Sequence, residues 1–465
     1  DFLNNSVISI TTRTVQLLLS MGSAVILARY IDAEEYGIYA LMIAVYGIIV
    51  SFQDIGISAA YIKAPVVDEN IRNAFFTINV LLGSLSSCMI ASLGFLLSSF
   101  YGNDKFTFLM LIYSPIGILS CLSIQGYAEL NRLKEFKKIA LIDLLSSILS
   151  ICIGVLCALS GLQILSLIFL ALSLPLAKLL LLVVIHKFDY RFVGLNAIAA
   201  QRVHVGFGLK VFVGRLINGM NNSLDKLFLG KLISPYNLGQ YRMPQQHLRL
   251  IDSNLRMPLT SVIYSYLERF DGERRTDSYF HLGVLLLIPM IWLHVIIFLY
   301  GAEVYVYVFG EKWIIASTYI KYLAFFSMGT VLKGVSTTLA LLQNRVGNNN
   351  ISTIVALGLQ WIMLLFFYLE LITLNNFVLL LSLTGFVLWS LVLLERFSRL
   401  GKKNLVLKYY LIYGLISLFF VYAFKILNGY GLSMNILLIT SYTLSCVVVV
   451  IKYIINHVSN KEYSS

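Results

Sequence analysis

Apolar runs of about 20 residues, each long enough for a helix to cross a ~30 Å hydrocarbon layer, alternate with short polar stretches along most of this chain. They lie at Val7 to Ala28, Gly37 to Tyr61, Ala74 to Leu97, Phe106 to Tyr127, Ile139 to Leu159 and Gln163 to His186. A second series lies at Phe280 to Tyr300, Thr318 to Leu341, Ile351 to Leu371, Phe377 to Glu395, Val406 to Ile426 and Leu432 to Ile455. The pattern predicts twelve spanning helices. Between the two series, Gly206 to Tyr266 breaks it with polar residues at helical intervals. Arg242, Arg249 and Arg256 recur every seven positions, with Gln245, Gln246, Asp252 and Ser253 between them; Arg215, Asn218, Asn222 and Asp225 or Lys226 follow a similar rhythm upstream. On an α-helix each set falls on one face, and the three guanidinium groups would form a row of roughly 21 Å.

Loop charges orient the scheme. With the N-terminus inside, the inner loops hold Lys63 and Arg72; Arg132, Lys134, Lys137 and Lys138; Lys187, Arg191 and Arg202; Arg269, Arg274 and Arg275; Arg345; and Arg396, Arg399, Lys402, Lys403 and Lys408. The outer loops hold little beyond Lys105, Lys231 and Lys312. This asymmetry obeys the positive-inside rule and places both termini in the cytoplasm. If only one of the two central segments spanned, the basic cluster from Arg396 to Lys408 would face outward, so either both span or neither does.

An internal repeat favours both. A shift of 215 − 13 = 202 positions pairs Arg13 with Arg215, Leu27 with Leu229, Ile31 with Ile233, Gly37 with Gly239 and Tyr39 with Tyr241 without a gap. The polar segment thereby maps onto the first two apolar runs, and the even number of intervening helices makes the copies parallel. The alternative is an amphipathic hairpin on the cytoplasmic membrane surface. The expected fold is all-α and polytopic, with about 14 transmembrane helices. Residues 1–186 and 206–396 form two six-helix bundles related by pseudo-twofold symmetry, 187–205 a cytoplasmic linker, and 397–465 two extra helices and a short cytoplasmic tail.

Composition agrees. The 465 residues are 58% hydrophobic and only 12% charged, and mean hydropathy is +0.83, far from a soluble domain. The net charge of +12 is accounted for mainly by the inner loops, so no nucleic-acid partner is expected. The chain starts at Asp1 rather than Met, which implies that a few native residues precede it. Cys88, Cys121, Cys152, Cys157 and Cys446 all lie inside apolar runs; they read as small buried hydrophobes rather than a disulfide framework. The six histidines show no metal spacing. There is no Gly-rich phosphate loop, nucleophile elbow or metalloprotease motif, so no catalytic residue, metal or cofactor is expected.

Ionisable groups inside spans cost on the order of 3 kcal/mol each and are functional candidates by default. The set is Arg13, Asp54, Lys210, Arg215, Asp225, Lys226, Arg242, Arg249, Asp252, Arg256 and Lys333, eight basic groups against three acidic. Such an excess suits an anion, and the arginine fork suits a phosphate. We therefore read Arg13, Lys210, Arg215, Asn218, Asn222, Lys226, Arg242, Gln246, Arg249, Arg256 and Lys333 as a substrate cavity. Asp54, Asp225 and Asp252 are candidates for ion coupling. The competing reading is internal pairing: Arg249 with Asp252, Asp225 with Arg215 or Lys226, and Asp54 with Arg13. Pro244 and Pro258 would bend the helix that carries the row.

The run Leu27-Ala28-Arg29, then Glu35-Tyr36-Gly37 and Asp54-Ile55-Gly56-Ile57-Ser58-Ala59-Ala60, resembles the start of Wzx-type polysaccharide flippases. These belong to the multidrug, oligosaccharidyl-lipid and polysaccharide exporter superfamily. Asp225-Lys226, Gly230, Leu238-Gly239-Gln240-Tyr241, Pro244 and Pro258 are similar to that family's second copy, whereas Ile55 and Ile57 replace more usual leucines. The resemblance implies two facing six-helix bundles in the bacterial inner membrane. It implies translocation of an undecaprenyl-diphosphate-linked oligosaccharide by alternating access, driven by a Na+ or H+ gradient. The implied partners are that substrate, membrane lipids, a polysaccharide polymerase and a chain-length regulator. An ion-coupled drug or metabolite exporter of the same superfamily, or a membrane-embedded polymerase or glycosyltransferase, is the alternative.

Overall fold

The computed structural model describes residues 2–398 apart from 54–57, 59, 60, 62–66, 187–189, 195–215, 217, 218, 221, 222, 258, 259, 261, 262, 264–266, 268–271 and 343–345. Side chains are described outside 2–10, 272–277, 280, 281, 284, 285, 288 and 341–350. Twelve α-helices hold nearly all of these residues. They are α1 (Phe2–Tyr30), α2 (Ala33–Gln53), α3 (Glu69–Tyr101), α4 (Lys105–Tyr113), α5 (Ile116–Arg132), α6 (Phe136–Leu159) and α7 (Ile164–His186), then α8 (Pro235–Ile251), α9 (Gly272–Phe309), α10 (Ile314–Leu342), α11 (Val346–Tyr368) and α12 (Leu374–Ser398). Residues 223–232 are also helical.

Nine stretches among the described residues are long and apolar enough to cross a membrane: α2, α3, the α4–α5 stretch Lys105–Arg132, α6, α7, Pro289–Phe309, Glu311–Ala340, Ile351–Tyr368 and Leu374–Phe397. The chain is a polytopic helical membrane protein. The two spans predicted beyond residue 400 lie outside the described residues, as do Asp54, Lys210, Arg215, Asn218 and Asn222.

The chain divides into two compact units, residues 1–243 and 244–465. The boundary falls inside α8, before Pro244, which has no amide hydrogen to give to the preceding turn. In the first unit α1 packs on α6, α6 on α7, and α3 on α4 and α5. Small residues set the close approaches, as expected where lipid removes the hydrophobic drive between helices. Gly154 of α6 faces Leu170, where Ser150 also donates to the Leu170 carbonyl at 2.6 Å. Gly83 and Gly117 let α3 and α5 touch backbone to backbone. The linker segment Tyr190–Gly194 is pinned to the end of this unit. Arg191 and Val193 amides donate to Asn73 Oδ1 and Thr77 Oγ1, each at 3.1 Å. Tyr190 stacks on Phe76 and donates its hydroxyl to Glu129; burial first, and that carboxylate second, push its phenol pKa up. In the second unit α10 is central, packed by α9 and α12 around Leu286, Met290, Val331, Val335 and Leu393.

The cysteines depart in part from expectation. Cys121 is buried, but Cys88 and Cys152 are exposed on outward helix faces, because those faces meet the surroundings rather than another helix.

The two copies of the repeat fold alike to the level of single hydrogen bonds. The Ile31 amide donates to the Leu27 carbonyl and the Ile233 amide to the Leu229 carbonyl, both at 2.9 Å. Tyr36 then bonds Asp32 at 3.1 Å, and Leu238 bonds Ser234 at 3.0 Å. Each pair is related by the 202-residue shift. Both helix starts have sequence causes: Asp32 precedes Glu34 and Glu35, and Ser234 precedes Pro235, the residue types preferred at a helix N-terminus. The two copies also meet. A Cβ on Gly37 would lie 1.8 Å from the Pro235 carbonyl oxygen, and one on Gly239 would lie 1.9 Å from that of Ala33. Residue 33 is equivalent to 235 and 37 to 239, so the contact is reciprocal, as a twofold axis requires. Either glycine replaced by alanine forces the two helix starts apart. Gly37→Ala and Gly239→Ala are each expected to destabilise the protein by about 1–3 kcal/mol through overpacking, read as a lowered midpoint of thermal unfolding in detergent, while Gly22→Ala, with nothing within 4 Å, shifts it little.

Candidate functional site

Helix α8 carries the first two arginines of the predicted row. Arg242 is half-buried, close enough to Tyr39 of α2 to act on it electrostatically. Gln246 and Arg249 are exposed at the next positions of the same face. Among the described residues no carboxylate pairs with Arg249. His247, on the opposite face, is buried; its Nδ1 lies 3.1 Å from the Tyr305 hydroxyl, and its ring stacks on Phe309.

The row does not continue to Arg256. Residues Asp252–Arg256 form a π-helical turn, whose wider i→i+5 pitch turns the chain less per residue. The sevenfold spacing that kept Arg256 in line on an ideal α-helix therefore no longer does so. Asp252 captures it: Arg256 Nε and Nη2 donate to Oδ1 and Oδ2 at 2.5 and 2.9 Å. The expected partner of Asp252 was Arg249; it pairs instead with Arg256, its i+4 neighbour. The guanidinium lies on Gly334 of α10, where a Cβ would sit 2.1 Å from Nη1. Tyr279, which donates to the Val335 carbonyl at 2.8 Å, also feels Arg256. Lys333 is half-buried with its ammonium over the Trp389 ring at 5.2 Å. Nearby Thr337 bonds its own helix at the Lys333 carbonyl, so the expected polar stripe is partly self-satisfied.

One histidine that sequence spacing passed over belongs to this group. His294 is buried between the Met290 carbonyl at 2.7 Å and Ser327 Oγ at 2.8 Å, and Asp252 acts on it electrostatically. Because Met290 O can only accept, Nδ1 carries hydrogen and Nε2 is left to face Ser327. No sequence motif marks it; only the helix packing does.

In the first unit Asp225 pairs with its neighbour Lys226, Nζ to Oδ1 at 2.9 Å, with both groups buried. This is one of the internal pairings weighed above. Arg13 is exposed on α1. A second ion pair was missed. Lys178 of α7 meets Asp143 Oδ1 at 2.7 Å, and Tyr127 of α5 donates to the same oxygen at 2.7 Å. Gln16 of α1 donates to the Asp143 carbonyl at 2.9 Å and to Ser147 Oγ at 3.0 Å. A signal for it existed: Asp143 and Lys178 each interrupt a run of apolar residues.

The described groups thus separate chemically. Asp252–Arg256 and Asp225–Lys226 are closed pairs, whereas Gln246 and Arg249 present donors outward. Among the described residues no group of three or more His, Cys, Asp or Glu side chains could hold a metal ion. Breaking one partner of a largely buried pair costs about 3–5 kcal/mol, more than removing both. Asp252→Ala should therefore destabilise the protein by about that amount, and Asp252→Ala combined with Arg256→Leu should recover most of it, as read from a double-mutant cycle of thermal unfolding.

Comparison with known proteins places these features in a family. The profile of the family described as "Polysaccharide biosynthesis protein" matches residues 26–318. An uncharacterized membrane protein in the cps region of Klebsiella pneumoniae is 22% identical over 319 residues, covering 64% of this chain and 62% of that protein. The teichuronic acid biosynthesis protein TuaB of Bacillus subtilis strain 168 is 19% identical over 294 residues, covering 63% of this chain and 61% of TuaB. The chain thus spans less than two thirds of the length of these two relatives. A solved structure of the lipid II flippase MurJ, in its inward closed conformation, shares the fold, with a TM-score of 0.72 at 13% identity over 98% of this chain and 99% of that one. With its sequence matched over more than half its length, this chain belongs to the polysaccharide biosynthesis protein family.

Proposed function

We infer that this protein is a flippase, not an enzyme. It carries an undecaprenyl-diphosphate-linked oligosaccharide across the bacterial inner membrane by alternating access, for surface polysaccharide assembly. The observation that supports it most is the exposed polar face of α8. There Arg249 and Gln246 are exposed on a helix whose neighbouring acid, Asp252, is already bound to Arg256. A guanidinium left over in this way offers paired donors to a diphosphate, and Gln246 one turn away offers hydrogen bonds to a sugar hydroxyl. Membership in a family of polysaccharide biosynthesis proteins supplies the kind of cargo, and a fold shared with a solved flippase makes that mode of handling it reasonable.

Arg242 and Arg249 hold the diphosphate on this reading, joined by Arg13, Lys210, Arg215, Asn218 and Asn222, while the prenyl tail stays in lipid. Lys226 and Arg256, each tied to a carboxylate, hold their helices in place. Of the three candidates for Na+ or H+ coupling, Asp225 and Asp252 are paired, so we assign that role to Asp54.

Loss of two charge-assisted hydrogen bonds is worth about 1.5–3 kcal/mol or more, roughly tenfold to a hundredfold. Arg249→Ala should lower surface polysaccharide by at least about tenfold and leave the lipid-linked repeat unit on the cytoplasmic side, with protein abundance unchanged. Arg249→Lys should keep part of the export. Normal polysaccharide in the Arg249→Ala strain would sink this assignment.

A further inference from the structure

The four-helix cluster around Asp143 has open valences. Tyr127 stands five residues before the end of α5, Asp143 seven after the start of α6, and Lys178 eight before the end of α7. At 1.5 Å per residue all three sit roughly 7–12 Å inside those helix ends, a single layer at the end flanked by Arg132, Lys134, Lys137 and Lys138.

The layer opens inward. Helix α6 exposes Leu141, Leu145, Ile148 and Leu156 along one face, and Asp143, Ser146, Ser147 and Ser150 lie on the other. Helix α7 exposes Leu176, Leu180 and Val183, again away from Lys178. Yet the side chains of Lys178 and Asp143 remain 27% and 28% exposed. That exposure faces the interior of the bundle, since charged groups turned to lipid are costly.

Counting hydrogen bonds shows what is left over. Asp143 Oδ1 takes both Tyr127 and Lys178, and Oδ2 accepts nothing among the described residues. Gln16 spends both amide hydrogens on the Asp143 carbonyl and Ser147, which fixes its orientation and leaves Oε1 without a donor among the described residues. Lys178, resting 5.1 Å over the Tyr127 ring, keeps further N–H donors. A metal cation is disfavoured, because an ammonium already sits on the carboxylate. A simple anion gains little from a pair that is neutral overall. A ligand whose groups both donate and accept uses everything on offer: one hydroxyl gives its hydrogen to Oδ2 or Oε1 and receives one from Lys178. Neighbouring hydroxyls on a sugar ring have that chemistry.

We propose that Gln16, Asp143 and Lys178 form a saccharide-reading subsite in the first unit, engaging hydroxyls of the cargo. The subsite rests on the lipid-linked saccharide reading given above.

Purified full-length protein in detergent would be titrated with two probes, a short-chain prenyl diphosphate and the same molecule carrying one hexose. The wild type should bind both, the hexose-bearing probe more tightly. Asp143→Asn and Lys178→Met should each weaken the hexose-bearing probe by about tenfold and leave the bare diphosphate unchanged, whereas Arg249→Ala should weaken both. Gln16→Met, which leaves the ion pair intact, should cost the hexose-bearing probe about fivefold and keeps the test open if an ion-pair variant fails to fold. A wild type indifferent to the hexose, or variants that weaken both probes equally, would overturn the subsite alone. A wild type that binds neither probe would overturn the flippase reading and the subsite with it.

Discussion

The reciprocal contact of Gly37 with the Pro235 carbonyl and of Gly239 with the Ala33 carbonyl is the constraint on which the rest of the structure hangs. Two helices can start this close together only where neither has a side chain. The same contact made twice, by residues related through a 202-residue shift, ties the first helical hairpin of the chain to its second copy. It fixes the N-terminal end of α8. The twin turns before α2 and α8, with matching hydrogen bonds, set the geometry of the contact. Asp32 with first-turn acids in one copy, and Ser-Pro in the other, reach the same turn from different residues.

Away from that contact the fold is governed by how each charge in an apolar setting is handled. Lys226 takes Asp225, Arg256 takes Asp252 and a glycine seat on α10, Lys178 takes Asp143, and Lys333 takes the face of Trp389. Each arrangement neutralises or shields a group that would be costly alone. The groups left over are then informative. Arg249 is exposed beside an acid that is already spent, and Asp143 keeps one oxygen open inside its bundle. The i, i+4 pairing of Asp252 with Arg256 decides this division, since it leaves Arg249 without a carboxylate among the described residues.

Much of this was legible in the sequence. Apolar runs near 20 residues marked the described spans, since backbone groups in lipid must be satisfied within a helix or a closed barrel. The repeat was visible as a few aligned residues, and Gly37 and Gly239 among them proved to be the points of contact. The charged residues between Gly206 and Tyr266 were visible as exceptions, because few side chains are so costly to misplace. What the sequence could not decide was which charge met which. A spacing of seven assumes 3.6 residues per turn throughout, and one π turn cancels that assumption locally without leaving a compositional mark. Asp143, Lys178, Gln16 and Tyr127 lie on four helices separated by as many as 162 positions, so their meeting depends on packing alone. Nothing in the histidine spacing marked His294, which Ser327 of α10 meets only in the packed structure. The sequence by itself determined that the chain is helical, crosses the membrane many times and repeats the turn that opens its second helix, because hydrophobic periodicity and local helix signals act over a few residues. Only the tertiary structure decided which polar groups are closed pairs and which stay open to a ligand, because pairing depends on distances between helices that no local pattern encodes.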